Sequence, residues 1–253
     1  MSALAVHAPV PFSRLSRVEL RKQLDTRSGR WFVIVIAIIT ALVMIPVAWF
    51  SEPADLTFMG FFGAAVLPQM FLLPVIGIMA ATSEWSQRTA MVTFAHEPRR
   101  LRVAVAKLVS AVCLGLVVIV ATAVIAAVAN LVATLVRDTD MVWSLDGQMI
   151  GSIVLMQVIL LAQGVGFGML LQNTPVALVA YYVLPTAWTI VTNLIAAMRE
   201  PAEWLDLGVA TLPLVESGAI TGGEWARLAV ATTLWVLLPL AAGMWRMARR
   251  EVK

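Results

Sequence analysis

The sequence predicts an all-α polytopic membrane protein with six transmembrane helices. Six long apolar stretches alternate with short polar connections, and about 20 apolar residues suffice for a helix to cross the hydrocarbon core of a bilayer. The chain has 253 residues, of which 60% are hydrophobic and 13% are charged. A soluble domain has roughly half apolar and a quarter charged residues. Spans and connections use nearly the whole chain, which leaves no room for a soluble catalytic domain.

The charges of the connections alternate in sign along the chain. If the N-terminal segment is inside and the side changes at each span, the inside segments hold 15 Lys and Arg against 5 Asp and Glu. The outside segments then hold 3 against 10. An excess of Lys and Arg marks the cytoplasmic side of a membrane protein. The sequence therefore predicts that both termini are cytoplasmic.

Residues 1–30 are expected to form a basic cytoplasmic segment with a short helix at the membrane interface. The segment attracts anionic lipid headgroups, and Arg21 and Lys22 are predicted to anchor it there. Ser16 and Glu19 have the spacing of a capping box, so the helix is predicted to begin near Ser16. A flexible basic tail is the alternative.

The first two spans are predicted at about 31–50 and 58–81, joined by a short acidic turn outside. Pro46 is expected to kink the outer end of the first span, because proline disrupts the helical hydrogen bonding. The second span contains Pro68 and Pro74. Two prolines in one span predict a bent helix whose freed carbonyl groups find partners within the protein.

The segment 82–102 is the most informative polar connection. Glu84 and Arg88 stand four residues apart in the favourable order for a helical ion pair, and Pro98 ends the helix. This predicts about three helical turns starting near Ser83. The apolar side chains of this helix are Trp85, Met91, Val92 and Phe94. An ordered inside helix with exposed apolar residues predicts a cytoplasmic protein partner, and a helix resting on lipid headgroups is the alternative.

The third span is unusually long, at about 103–136. At 1.5 Å per residue it would measure about 50 Å against a hydrocarbon core of ~30 Å, so it tilts strongly or projects into the cytoplasm. Lys107 favours projection, because a lysine at the centre of a span costs on the order of 3 kcal/mol. Arg99 and Arg100 precede the span and, with Lys107, are expected to anchor it at the cytoplasmic face.

The fourth and fifth spans are predicted at about 149–171 and 176–197, joined by a tight, uncharged turn inside. The pair Gly164 and Gly168 has the spacing that lets helices approach closely, either within one chain or between two chains. Amide and hydroxyl side chains inside the spans serve as interhelical contacts or line a path for a transported molecule. The candidates for a translocation path are Gln69, Gln157, Gln163 and Asn193.

Residues 198–225 form the longest predicted outside segment. The segment is too polar to span the membrane and too apolar to lie free in water, so we expect two short helices dipping into the outer interface or the protein. The sixth span follows at about 226–245, and the basic tail 247–253 holds the C-terminus inside. The six spans make up one transmembrane domain, 31–246.

Several kinds of chemistry are not indicated, and no enzymatic function, cofactor or metal is expected in this chain. The predicted spans contain no His, Asp or Glu in their interiors, which disfavours a proton relay, an intramembrane protease and a metal site. A single cysteine permits no internal disulfide. No GxxxxGK[ST] phosphate-binding loop occurs, so if the chain takes part in active transport, a separate subunit must supply the energy. Nucleic acid is not an expected partner, because the basic residues lie beside spans, where anionic lipid binds.

This arrangement resembles the ABC-2 type transporter permeases, the membrane subunits of ATP-binding cassette exporters. The local similarity consists of EWSQRT at 84–89, then Thr93, PRR at 98–100 and Lys107. Many such permeases have an acidic residue ending the second span, a Thr-containing helix, and then Pro-Arg and a Lys opening the third span. The similarity covers the whole chain in architecture and residues 84–107 in sequence.

The resemblance implies that 83–95 is a cytoplasmic coupling helix that docks in a groove of a separate ATPase subunit. The implied interface residues are Glu84, Trp85, Arg88, Thr89, Val92 and Thr93. The N-terminal segment would be an elbow helix, and the segment before the sixth span a re-entrant outside element. Two permease chains, identical or paralogous, would pair around the path, and two ATPase subunits would bind ATP and Mg²⁺. The location would be a bacterial or archaeal plasma membrane, and the substrate does not follow.

The leading hypothesis is therefore the membrane subunit of an ATP-driven exporter. A non-transporting membrane anchor, assembly factor or sensor subunit explains a partner-binding segment equally well. An intramembrane enzyme ranks last, because the predicted spans lack ionisable catalytic groups. An ATP-binding protein encoded next to this chain would favour the first hypothesis over the second.

Overall fold

The computed structural model describes residues 10–138, 142–216 and 218–250. Within these ranges the chain is helical apart from turns and one isolated bridge between Thr57 and Val142. Six of the helices are long and apolar enough to cross a membrane. The prediction of an all-α polytopic membrane protein is confirmed. Residues 1–9 of the predicted basic segment and 251–253 of the predicted tail lie outside the described residues.

The helices follow one another as α1 (Phe12–Asp25), α2 (Arg27–Phe50), α3 (Phe58–Ser86), α4 (Ala90–His96), α5 (Arg100–Arg137), α6 (Gly147–Leu171), α7 (Thr174–Leu194), α8 (Arg199–Leu205), α9 (Leu207–Thr211), α10 (Gly222–Thr232) and α11 (Leu238–Arg249). A π-helical turn at Thr233–Leu237 joins α10 to α11, so these two form the sixth long helix. Pro239 has no N–H to bond to the preceding turn, which favours a local widening of the helix there.

Short polar side chains set the starts of several long helices. Thr57, Asp146 and Asn173 each accept a hydrogen bond from a backbone N–H in the first turn of the following helix. Asn173 follows directly on Gln172, which ends α6 in a left-handed conformation. The turn between α6 and α7 is therefore as tight as the sequence predicts.

α6 is the central helix of the bundle, packed against α3, α5, α7 and α11. In its apolar stretch 72% of the residues are buried, against 11% in α7. Glycines permit the close approach: a Cβ at Gly164 would lie 2.3 Å from the carbonyl oxygen of Pro74, and one at Gly168 would lie 2.7 Å from the Cβ of Ala81. The Gly164 and Gly168 pair therefore packs α6 against α3 within one chain.

A cluster of buried apolar side chains connects the two short helices α1 and α4 to the long helices. It includes Leu15 of α1, Phe94 of α4, Val103 of α5 and Met247 of α11. We call this end of the bundle the α4 end. Because α1 and α4 pack against the long helices here, their polar side chains meet those at the ends of α3 and α5.

The predicted start of α1 is wrong. The helix begins at Phe12 rather than near Ser16, and no side chain of the described residues caps its N-terminus. Ser16 and Glu19 therefore form no capping box. Glu19 lies two turns inside the helix, where its side chain is buried and pairs with lysines.

The prediction of a single helix over 83–95 is also wrong. α3 continues to Ser86, and α4 begins only at Ala90. Arg88 lies between them with a φ of 57°, in the left-handed region that a right-handed helix cannot continue through. The Glu84 carboxylate consequently pairs with lysines of other helices rather than with Arg88.

The segment between the fifth and sixth long helices contains two short helices, α8 and α9, as the sequence predicts. Asp206 lies between them, and its Oδ1 accepts the backbone N–H groups of Gly208 and Val209. Its Oδ2 accepts the Thr189 hydroxyl of α7 at 2.7 Å. The buried carboxylate thereby fixes α9 to the end of α7.

Candidate functional site

Four charged side chains from three helices meet at the α4 end. Glu19 and Lys22 come from α1, Glu84 comes from the last turn of α3, and Lys107 comes from α5. The residues Glu19, Glu84 and Lys107 are only 2%, 2% and 1% exposed. Two carboxylates and two ammonium groups balance one another in formal charge. We call these four residues the ion cluster.

Each lysine of the ion cluster bridges both carboxylates. The Lys22 Nζ lies 2.6 Å from Glu19 Oε1 and 2.9 Å from Glu84 Oε1. The Lys107 Nζ lies 2.8 Å from Glu19 Oε2 and 3.3 Å from Glu84 Oε1, and it donates to the carbonyl oxygen of Ala80 at 3.2 Å. Buried charges persist when they are paired and hydrogen-bonded in this way. The cluster therefore joins α1, α3 and α5.

Lys22 is the half-exposed member of the cluster. Burial lowers the pKa of its ammonium group, but the negative charges of Glu84 and Glu19 and their hydrogen bonds raise it, and the net pKa is above its ordinary value. The ammonium group of Lys22 therefore stays charged at neutral pH.

The inner face of α4 is fixed to this cluster. The Thr93 hydroxyl donates to Glu84 Oε1 at 2.9 Å, the same oxygen that accepts from Lys22. The next residue, Phe94, is buried beside Trp85, with 6.3 Å between the ring centroids, and the Arg100 guanidinium lies 4.8 Å from the Phe94 ring centroid. Hydrogen bonding and packing thus hold one face of α4 against the long helices.

The opposite face of α4 is exposed. Met91 and Val92 are 58% and 60% exposed, and Arg88 and Thr89 in the preceding turn are exposed as well. We call Arg88, Thr89, Met91 and Val92 the outer face of α4. A groove of about 520 Å³ runs between this face and α1, and Arg21 and Lys22 line its other side.

The six residues predicted for an ATPase interface divide between these two faces. Arg88, Thr89 and Val92 lie on the outer face. Glu84 and Thr93 lie in or beside the ion cluster, and Trp85 packs inward. Sequence reasoning missed the role of Glu19, although a signal was present, since Glu19 is the sole acidic residue among the first 24.

Of the residues predicted to anchor the chain at the cytoplasmic face, some are exposed and others contact neighbouring helices. Arg21 and Arg99 are exposed. Arg100 instead donates to the carbonyl oxygens of Met247 and Arg250, and so ties α5 to the end of α11.

Lys107 lies in the first turns of α5, whose projection into the cytoplasm stays a prediction. Its ammonium group is buried by the first turns of α5, which pack against α1 and α3. Pairing with Glu19 and Glu84 offsets the cost of burying the charge, which the sequence argument assigned to an isolated lysine. The extra length of α5 therefore serves packing at the α4 end.

The candidate translocation residues do not share one surface. The Gln157 amide donates to Gln69 Oε1 at 3.4 Å, and Gln69 donates to the Thr122 hydroxyl. Gln69, Gln157 and Gln163 are all buried, whereas Asn193 is exposed and donates to the carbonyl oxygen of Thr189. Gln69 and Gln157 thus form interhelical contacts among α3, α5 and α6 of one chain.

In comparisons with known proteins, no family model and no curated protein matches the chain. The interpretation of the site therefore depends on its geometry. Among the described residues, no group of three or more His, Cys, Asp and Glu side chains is placed to hold a metal ion. These contacts allow a displacement of α4 to be passed to other helices. The contact of Thr93 with Glu84 connects α4 to α3, and the ion cluster connects α3 to α1 and α5.

Proposed function

We propose that the protein is the permease subunit of an ATP-binding cassette exporter of the ABC-2 type. It would lie in a bacterial or archaeal plasma membrane with both termini and the α4 end in the cytoplasm. α4 would be the coupling helix and α1 the interfacial elbow helix, and α8 and α9 would be the re-entrant outside element. The observation that carries this proposal is the two-faced α4, which is fixed to three helices on one side and exposed on the other.

A separate ATP-binding subunit would dock on the outer face of α4 and bind ATP and Mg²⁺ itself. Its closure on ATP would displace α4. Breaking a buried ion pair by removing one partner costs about 3–5 kcal/mol, so the ends of α1, α3, α4 and α5 would move together rather than separate. The ion cluster would thereby carry the work of the ATPase into the membrane-spanning helices.

A second permease chain, identical or paralogous, would complete the transporter, with one ATP-binding subunit for each chain. Two of the long helices are largely unburied: only 17% of the apolar stretch of α2 and 11% of that of α7 are buried. These helices are available to lipid and to a second chain. The interior of one chain is occupied by interhelical contacts such as Gln69 with Gln157, which supports a path between two chains.

The interhelical contacts in the interior of one chain also favour a second candidate function. This candidate is a membrane anchor, assembly factor or sensor subunit that binds a cytoplasmic protein without transport. Both candidates use the outer face of α4. Reconstitution of the purified protein and its partner in vesicles separates them, since only an exporter moves a solute or lipid in response to ATP.

The experiment that tests the proposal is copurification with an ATP-binding protein encoded next to this chain, followed by measurement of the ATPase rate. We expect Val92→Glu to lower the amount of bound ATPase about tenfold, because it places a charge in an apolar contact and a loss of 1.4 kcal/mol is a factor of ten. Leu101→Glu is the matched control, because Leu101 is an exposed apolar residue at the same end but outside α4. Equal binding by both variants would overturn the docking role of α4.

A further inference from the structure

A second cavity lies beside the ion cluster, between α2, α3 and α7. Its volume is about 290 Å³, close to the lower end of the range for small-molecule pockets. The apolar residues that line it include Phe32, Val33, Val75, Ile76, Met79 and Leu178. All of them lie one or more turns inside the long helices.

The end of this cavity nearest to α4 is polar. Thr26, Ser28, Ser83 and Gln87 line it, together with Lys22. Lys22, Thr26, Ser83 and Gln87 also line the groove between α1 and α4. Cavity and groove therefore form one site, which is apolar within the bundle and polar at its end. This distribution matches a membrane amphiphile whose head group lies at the interface.

The polar groups favour an uncharged head group. Lys22 lines the cavity, and its charge is balanced by Glu19 and Glu84. The groove adds one basic and one acidic residue, Arg21 and Asp25. Ser28 and Gln87 are exposed. Their hydroxyl and amide groups can each donate and accept hydrogen bonds. A hydroxyl-bearing head group has the complementary chemistry.

The side chain of Gln23 indicates that the ligand head group carries a hydrogen-bond donor rather than a carboxylate. Its Nε2 donates to the Ser110 hydroxyl at 2.8 Å, and that hydroxyl donates to the carbonyl oxygen of Lys107, so the orientation of the amide is fixed. Gln23 lines the cavity, and its Oε1 is buried without a hydrogen-bond partner among the described residues. A buried unpaired acceptor is unfavourable, and a ligand hydroxyl can satisfy it whereas a carboxylate cannot.

We propose that the cavity and the adjoining groove bind a single-chain amphiphile with an uncharged, hydroxyl-rich head group. The acyl chain enters between α2 and α7 from the leaflet on the α4 side, and the head group lies among Gln23, Ser28 and Gln87. The binding itself is independent of the function proposed above. Its use as a loading site for an exported molecule rests on that function.

The test uses the full chain in phosphatidylcholine nanodiscs and two photoactivatable probes with the same 16-carbon chain, a monoacylglycerol and the free fatty acid. We expect the monoacylglycerol to label 26–33 and 75–87 at least threefold more than the fatty acid does. Excess unlabelled monoacylglycerol should compete the label away. Because no ATP-binding subunit is present, failure of this test leaves the docking of an ATPase on α4 unaffected.

Two variants make the test specific. Met79→Trp fills the apolar part and is expected to reduce labelling at least fivefold, whereas Phe71→Trp, at an exposed position on the same helix, is expected to leave it unchanged. Gln23→Leu should lower labelling by the monoacylglycerol but not by the fatty acid, with thermal unfolding confirming that it folds. Equal labelling by both probes, labelling spread over all lipid-facing helices, or crosslinking of the labelled segments to a second chain would each overturn the proposal.

Discussion

The inner and outer faces of α4 differ in what they contact, and the difference separates folding from partner binding. On the inner face, Thr93 is hydrogen-bonded to the ion cluster and Phe94 is buried. On the outer face, Met91 and Val92 are more than half exposed. A helix of seven residues is too short to be stable alone, so the inner face must hold it in place. Exposed apolar side chains next to one another are typical of a protein contact.

The largest effect on stability is expected from the ion cluster beneath the inner face. Lys107→Met leaves Glu19 and Glu84 with Lys22 alone, and breaking a buried ion pair by removing one partner costs about 3–5 kcal/mol. We expect a loss of this size in the free energy of unfolding, measured by denaturant titration in detergent micelles. Val105→Met, at a partly exposed position on the same helix, is the control and should change it by less than about 0.5 kcal/mol. Equal free energies of unfolding for the two variants would contradict the structural role of the ion cluster.

A matched pair at neighbouring positions sharpens the comparison of the two faces. Thr93→Val removes a hydrogen bond to a carboxylate, which is worth about 1.5–3 kcal/mol, and should lower the free energy of unfolding accordingly. Val92→Thr, on the outer face, should change it by less than about 0.5 kcal/mol while weakening ATPase binding several-fold. The measurements are denaturant unfolding and copurification. The reverse pattern would show that the faces have been assigned the wrong way round.

The smallest effect is expected at Arg88, in the turn before α4. A left-handed conformation costs a residue with a side chain about 1–2 kcal/mol and costs glycine little, so Arg88→Gly should be more stable than Arg88→Ala by up to about 1 kcal/mol. Both variants remove the guanidinium group, so both should weaken ATPase binding equally. If only Arg88→Ala weakened binding, the conformation of the turn rather than the side chain would matter to the partner.

The six long helices could be predicted from sequence because apolar length is a local property of the chain. The site at the α4 end could not be predicted in full, because its contacts connect distant segments. Glu19 and Lys107 are 88 residues apart, and Lys22 and Glu84 are 62 residues apart. Local rules assigned Glu19 to a capping box and Glu84 to a helical pair with Arg88. Both carboxylates instead pair with Lys22 and with the buried Lys107, since a buried charge needs its counterion more than an exposed one does.

The faces of α4 were likewise only partly predictable. The resemblance placed Val92 and Thr93 in one interface, although Val92 is exposed and Thr93 is hydrogen-bonded to the ion cluster. The break between α3 and α4 at Arg88 was not predictable either, because the residue type of an arginine does not indicate a left-handed backbone.

The docking role of α4 is tested most directly by accessibility labelling of Val92→Cys in a Cys113→Ala background with a membrane-impermeant maleimide. We expect this cysteine to react in inverted vesicles but not in intact cells, and coexpression of the ATP-binding subunit to protect it. Leu101→Cys should react from the same side and remain unprotected. Reaction of Val92→Cys in intact cells, or equal reaction with and without the ATP-binding subunit, would contradict the assignment of α4 as the docking helix.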